Sequence, residues 1–382
     1  MAVEDRYSRH QLIAGWNQER ISRGRVVVAG AGAIGNEVIK LLALVGVGQI
    51  AIIDFDQVEV SNLSRSLLFR EIDIGRPKAE VAAERVRELN PQILVHPICG
   101  DLEFDIGLGV IRAADVVIGC LDSLNARLVL NRACLRTGTP WINGGIEVSV
   151  GEITLIHSCA SPCYECGMSD DMWRRLGERF SCGGMRASAP ETVAPTTAVV
   201  ASLTAGFLVH EALHVIHADD CGSKAGLRCG QKITLNLDPY DVDVFTLSTN
   251  SECLAHCQTI DPEIRKEVPD STTVRDMLDW AESPDGIVEL GFDLLTSLDC
   301  VLCGESEFIC RPVGQCDDKM VYCRTCDAET RALTTVNWID SENPLAQVPL
   351  SEMSVPDHQV LSVNSSGERR YFQLGGAPIW QD

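Results

Sequence analysis

Gly30-Ala-Gly32-Ala-Ile-Gly35 stands directly after the apolar run RVVVAG and at the head of a stretch with helical periodicity. Glycines at this spacing let a phosphate approach the free N–H groups of a helix N-terminus, where the macrodipole also favours an anion. Asp54 closes the next apolar run, 19 residues past Gly35, where a carboxylate can accept hydrogen bonds from ribose hydroxyls. These features alone suit a nicotinamide oxidoreductase as well as an ATP-binding enzyme. A tight strand-to-helix turn without a ligand also carries such glycines. The residues after Asp54 shift the balance. Asn62, Arg65 and Lys78 gather donors and two positive charges, which a triphosphate with a departing pyrophosphate needs and a hydride transfer does not. Asp122 follows the apolar run DVVIGC, at the carboxyl edge of a sheet where ligands bind and where a carboxylate can hold Mg2+ against phosphates. Taken singly, Arg65 and Lys78 read as solvated surface charges; as an ordered set they point to ATP.

A second chemistry lies in the 17 cysteines. Cys300-Val-Leu-Cys303 and Cys323-Arg-Thr-Cys326 form two pairs separated by 19 residues, the spacing of a zinc ribbon. Cys310 and Cys316 between them are loop thiols or alternative ligands. Cys163-Tyr-Glu-Cys166 is a further pair. Cys99, Cys120 and Cys134 fall in apolar strand and helix patterns and read as packed small hydrophobes; Cys159, Cys221 and Cys229 have no assignment. His210-Glu-Ala-Leu-His214 matches the zinc-protease pattern literally. The surrounding helix is apolar, which favours a core helix over a protease site.

Elements in β-α-β order must position these groups. RVVVAG, QIAIIDFD, ILVHPIC and DVVIGC read as buried strands, and the stretches from 31, 77 and 124 as helices. Continuous apolar strands with intervening helices indicate a mostly parallel, Rossmann-like sheet covered on both faces. Residues 6–24 read as a helical arm. PWINGGI begins another strand, GEITLIHS and KITLNLD after it extend the sheet in a more antiparallel fashion, and 167–195 reads as irregular before a long helix from 196. Composition changes near 258: 259–382 reads as a small β-rich zinc-containing domain, with a hairpin turning at SSGE.

The net charge of −22 disfavours a nucleic-acid phosphate backbone as partner. The charged N-terminus MAVEDRYSRH lacks the apolar core of a secretory signal. LLALVGVGQIAII is short and broken by Gly46 and Gly48, so no membrane span is expected there. The expected setting is the cytoplasm, with reduced thiols and bound zinc.

The segments RYSRHQL, GAGAIGNEVIKLLALVGVG, DFDQVEVSNLSR, GRPKAE and LDSLNAR, in this order and spacing, resemble the ubiquitin-activating-enzyme-like family. That family includes the enzymes that adenylate the sulfur carriers of molybdopterin and thiamine synthesis. The resemblance covers about 6–258, an adenylation domain within 1–258. It implies a symmetric homodimer in which Arg9 reaches the partner's nucleotide. It also implies that Asp54 binds ribose, that Asn62, Arg65 and Lys78 handle phosphate, that Asp122 handles Mg2+, and that Arg127 and Asn131 support the Asp122 loop. Ser66 and Ser123 stand where the family often has Gln and Asn. Relatives close a structural zinc with Cys163 and Cys166 and a second pair, here Cys253 and Cys257, with His256 able to replace one thiolate. In the family the stretch 167–195 carries the cysteine that takes the acyl group as a thioester, which implies that role for Cys182, beside Arg186; an ordinary loop cysteine is the alternative.

The expected activity is therefore ATP-dependent adenylation of the C-terminal glycine of a ubiquitin-like or sulfur-carrier protein. Thioester formation on Cys182 and transfer to a ubiquitin-conjugating-type enzyme would follow, in a bacterial conjugation or antiphage system by resemblance. The alternatives are an activator that stops at the acyl adenylate, a nicotinamide oxidoreductase, and an inert zinc scaffold that merely binds ATP.

Overall fold

The computed structural model describes residues 5–157, 161–177, 195–218, 226–256 and 259–381. The N-terminal arm is not one helix. A 3-10 turn at His10–Leu12 and the short α1 (Gln18–Ile21) are separated at Gly15, whose φ of +83° breaks helical continuity.

From there strands and helices alternate: β1 (Arg25–Ala29), α2 (Ala33–Val45), β2 (Gln49–Ile53), α3 (Lys78–Leu89), β3 (Leu94–Ile98), α4 (Leu108–Arg112), β4 (Val116–Gly119), α5 (Leu124–Thr137) and β5 (Trp141–Glu147). β5 turns back into β6 (Val150–Ile156). After α6 (Asp170–Gly177) and α7 (Ala198–His217), β7 (Gln231–Leu237) and β8 (Tyr240–Thr246) complete an eight-stranded sheet. Its order is β3-β2-β1-β4-β5-β6-β7-β8, parallel through β5 and antiparallel beyond. The parallel strands β1, β2 and β4 are buried almost throughout, as strands covered on both faces must be. One face packs α2, α3 and α7 through Val38, Leu42, Ala82, Ala205 and Leu208; the other packs α4 and α5 through Val110, Leu130 and Leu135. By length and composition α7 could cross a membrane, yet Ala201, Ala205, Leu208 and Ala212 are fully buried in the core it shares with α2, β5 and β6.

α2 stops at Gly46, whose φ of +81° sets the left-handed cap, with the N–H groups of Gly46 and Val47 both donating to the Leu42 carbonyl. The stretch expected to be irregular contains α6. Asp170 and Asp171 in its first turn and Arg174 and Arg175 in its last complement the helix dipole.

The second sheet contains β9 (Glu263–Arg265), β10 (Ile287–Asp299), β11 (Ser306–Pro312), β12 (Ala332–Asp340), β13 (Val360–Ser365) and β14 (Glu368–Leu374), with α8 (Val274–Trp280) packed on it. β13 and β14 form the expected hairpin. Ser366 and Gly367 both take positive φ, which a two-residue loop of this twist requires. The two sheets are joined by polar contacts. Arg112 donates to Gln373 at 2.9 Å, the Gly109 N–H donates to the His358 carbonyl at 2.8 Å, and Trp380 donates to the Val110 carbonyl at 3.2 Å.

Candidate functional site

The carboxyl edges of the parallel strands are knitted by backbone hydrogen bonds just where the glycine turn begins. Gly30 N donates to the Ile53 carbonyl, Cys120 N to Ala29, and Asp54 N to Ile98. Strand order reverses between β1 and β4, so the turn sits at the switch point where open α/β sheets bind ligands. Each glycine does something different. A Cβ on Gly30, at φ +94°, would lie 2.6 Å from the Cys120 carbonyl oxygen, and one on Gly35 would lie 1.9 Å from the Gly30 oxygen. A Cβ on Gly32 would meet nothing within 4 Å. Chain packing therefore requires glycine at 30 and 35, whereas position 32 opens onto free space at the N-terminus of α2, which has no side-chain cap. That is where a phosphate needs close approach.

Asp54 is pinned beside this turn. Its carboxylate accepts from Ala31 N at 2.6 Å and from Asp56 N at 2.8 Å. Burial pushes its pKa up, opposed chiefly by the nearby Lys78 charge. Lys78 begins α3, is 8% exposed, and donates from Nζ to Asp56 at 2.7 Å. Arg65 follows the 3-10 turn Val60–Ser64 and donates to the Ser61 carbonyl at 2.7 Å. Three residues on, Leu68 N donates to Asn36 Oδ1 on α2 at 2.6 Å, which ties the Arg65 segment to the helix that the glycines open. Asn62 is buried, and its Oδ1 accepts from Glu59 N at 2.9 Å. Its oxygen thus shapes the turn that carries Arg65.

Asp122 is exposed beyond β4, and Arg9 is exposed on the arm. Neither side chain has a hydrogen-bond or ion-pair partner among the described residues. Arg127 braces the Asp122 loop by donating to the Leu121 carbonyl, and it also donates to Asn143 at 2.5 Å. Asn131 does not take the part implied for it. It sits farther along α5, where it accepts from Tyr164 N at 3.1 Å and donates to Glu165 at 3.3 Å. With Arg132, which grips both Glu165 oxygens at 2.8 and 3.0 Å, it clasps the Cys163–Cys166 knuckle instead.

At that knuckle the Sγ atoms of Cys163 and Cys166 lie 3.8 Å apart, Cys163 and Cys253 3.6 Å, and Cys166 Sγ lies 3.3 Å from His256 Nε2. Four ligands at tetrahedral zinc bond lengths span edges of about 3.5–3.8 Å. His256 occupies the fourth corner; Cys257 lies outside the described residues. Cys300, Cys303, Cys323 and Cys326 form a second such group, with Sγ separations of 3.5 Å (Cys300–Cys326) and 3.7 Å (Cys303–Cys323). Both donor sets fit zinc. Cys310 and Cys316 pack into the apolar interior, Cys316 donating to the Pro312 carbonyl, and join neither group. Cys134 is a buried thiol, as expected, and Cys120 is half-buried against the core, its thiol pushed up to about 12 by desolvation. Cys99 differs: it is exposed, one residue past the end of β3.

His210 and His214 face each other with their Nε2 atoms 3.0 Å apart. Glu211, which would be the base of a protease, is buried and accepts from Leu227 N at 2.7 Å. No third ligand gathers there among the described residues, so the protease pattern has no site. Cys182 and Arg186 lie outside the described residues. Sequence reasoning missed Asp56 as the partner of Lys78 and Glu165 as the buried anchor of the knuckle. The only sequence signal for either was an acidic residue beside an assigned position.

The chain is similar in sequence and fold to several known proteins. The sequence profile of the ThiF family matches residues 5–255. The chain is 39% identical over 165 residues to the SAMP-activating enzyme E1 of Haloferax volcanii, a match covering 42% of this chain and 61% of that protein's length. It is 31% identical over 204 residues to the molybdopterin-synthase adenylyltransferase of Salmonella typhimurium, covering 52% of this chain and 78% of that one. Among solved structures, E. coli MccB with ATP superposes with a TM-score of 0.54 at 25% identity, covering 67% of this chain and 75% of that chain.

Proposed function

The chain belongs to the ThiF family, and from that premise we propose that it adenylates the C-terminal glycine of a ubiquitin-like or sulfur-carrier protein with ATP. The observation that carries this reading is the open space at Gly32, with Asp54 and the buried Lys78 beside it and, at the same sheet edge, an Asp122 that has no partner among the described residues. The glycine carboxylate attacks the α-phosphorus, an acyl–phosphate bond forms, the α–β anhydride bond breaks and pyrophosphate leaves. The protein's part is positioning and charge neutralisation. The α2 N-terminus cradles phosphate, Arg65 and Lys78 offset its charge, and Asp54 holds the ribose. Asp122, an exposed carboxylate with no other partner among the described residues, fits Mg2+, which when bound shields the phosphate charge.

A symmetric homodimer fits the same reading. Arg9 has no partner among the described residues, and the apolar side chains of Leu12, Phe55, Val60, Leu67 and Ile72 stand exposed. The proposed sequence continues with Cys182: its thiolate attacks the adenylate carbonyl, AMP leaves, and the thioester passes to a conjugating-type enzyme. The two cysteine-rich groups bind zinc as structural posts, and metal analysis of the gently purified chain tests this. A reaction that stops at the adenylate is the second reading, favoured by the likeness to molybdopterin-synthase adenylyltransferase.

ATP–pyrophosphate exchange with and without candidate carriers tests the adenylation. Asp122→Ala and Arg65→Ala should each abolish carrier-driven exchange, and normal exchange in both ends the site assignment. A reductant-sensitive mass shift with carrier and ATP that disappears in Cys182→Ala supports the thioester; a shift unchanged in that variant rejects it.

A further inference from the structure

We infer that Asp56 is the positioning residue of Lys78, an inference that rests on the adenylation reading and adds a group to it. Lys78 is the first residue of α3, a twelve-residue helix whose start at Pro77 has no side-chain cap. A cation there faces the positive end of the helix dipole and is repelled by it. The side chain is also sunk, 10% exposed, and a buried ammonium on a flexible four-carbon stem needs an anion to stay in one place. Asp56 supplies it. Its Oδ2 lies 2.7 Å from Lys78 Nζ, and its carbonyl accepts from Lys78 N at 2.9 Å.

The two residues form the last link of a continuous chain that starts at the glycine turn. Ala31 N donates to Asp54, Asp56 N donates to the other oxygen of Asp54, and Lys78 donates to Asp56. An ammonium has three donors. One is spent on Asp56, which leaves two whose directions are then fixed. Those two serve phosphate oxygens beside Gly32. Asp56 stays half-exposed at 49%, so its hold is weak enough to share the cation with an arriving triphosphate.

Asp56 is not needed to keep α3 in place. The antiparallel bridge between Gln57 and Pro77 and the backbone bond from Lys78 survive loss of its charge. Asp73 grips Arg76 and Arg85, and Glu84 grips Arg76, along the same segment. A substitution that removes only the charge therefore separates positioning from folding.

The experiment uses the full chain as Asp56→Asn, Asp56→Glu, Lys78→Met and the double variant Asp56→Asn/Lys78→Met. Affinity for a fluorescent ATP analogue, pyrophosphate exchange and melting temperature are read for each. Asp56→Asn should weaken nucleotide affinity and exchange about tenfold while the chain stays folded with a modestly lowered melting temperature, since the Lys78 ammonium loses its partner, and Asp56→Glu should recover most of both losses. The double variant should bind nucleotide no worse than Lys78→Met alone, because Asp56 acts only through Lys78. Wild-type affinity and exchange in Asp56→Asn overturns the inference, and so does a double variant whose loss is the product of the two single losses. Normal nucleotide binding by Lys78→Met instead removes the adenylation reading on which this rests.

Discussion

Gly32→Ala and Gly35→Ala place the same methyl group in the same turn, and the structure assigns them different consequences. At Gly35 the new Cβ would lie 1.9 Å from the Gly30 carbonyl oxygen, about 1.5 Å inside ordinary contact. The obstacle is backbone, itself held by Gly30 N on the Ile53 carbonyl at 2.8 Å, so neither side yields easily. Overpacking of this kind costs about 3 kcal/mol, or about 6–12 °C in melting temperature for a domain of this size. At Gly32 the Cβ meets nothing within 4 Å. The only intrinsic cost is a poorer N-cap, about 0.5 kcal/mol, or about 1–2 °C. A phosphate would nevertheless be pushed away from the α2 N–H groups. Losing one charge-assisted hydrogen bond, about 1.5–3 kcal/mol, weakens ATP binding about 10- to 100-fold. Scanning fluorimetry and titration with a fluorescent nucleotide measure both numbers on the same samples. A Gly32→Ala protein that binds MgATP as tightly as the parent would refute the idea that phosphate lies over this turn. A Gly35→Ala protein with an unchanged melting temperature would refute the packing argument.

Arg132→Met leaves the Glu165 carboxylate, 2% exposed in its side chain, without its two-pronged partner. Because Arg132 is itself half-exposed, the expected cost is about 1–2 kcal/mol. It should come with faster zinc loss to a chelator, and zinc retention equal to the parent's would count against the clasp. Burial, and then His210, lowers the pKa of His214 from its ordinary 6.5. The unfolded chain thus binds that proton more readily. The stability this group contributes is present above its unfolded pKa and is lost as pH falls through the folded one. Melting temperature should therefore decline on acidification through this range, and His214→Gln should flatten the slope; an identical slope in the variant contradicts the assignment. Truncation after Gly376 removes the partly buried Ile379 and Trp380, the Trp380 bond to Val110, and the paired bonds between Gln381 and Gln49 at 2.6 and 2.8 Å. A loss of about 2–4 kcal/mol is expected from that area and those hydrogen bonds, and a melting curve that does not move would show that the strap adds nothing.

The sequence by itself determined the nucleotide end of this protein. Gly30, Gly32, Gly35 and Asp54 act through a strand, a turn and a helix that are contiguous in the chain, and a parallel sheet brings every strand's carboxyl end to the same edge. Spacing alone therefore placed Asp54 beside the turn and Asp122 at its rim. The two cysteine pairs of the second sheet were legible for the same reason, since each pair closes on itself before the two pairs meet. Only the tertiary structure decided the rest. Asn131 turned to the Cys163 knuckle rather than to the Asp122 loop, because α5 lies against a segment more than thirty residues away. Among the described residues His256 came to the fourth corner of that knuckle, and Glu211 was drawn to Leu227 N, which emptied the protease pattern of its base. Asp56 became the anchor of Lys78 across a 22-residue gap. In each case the partner is chosen by how separate elements pack, and no local periodicity or spacing records that choice.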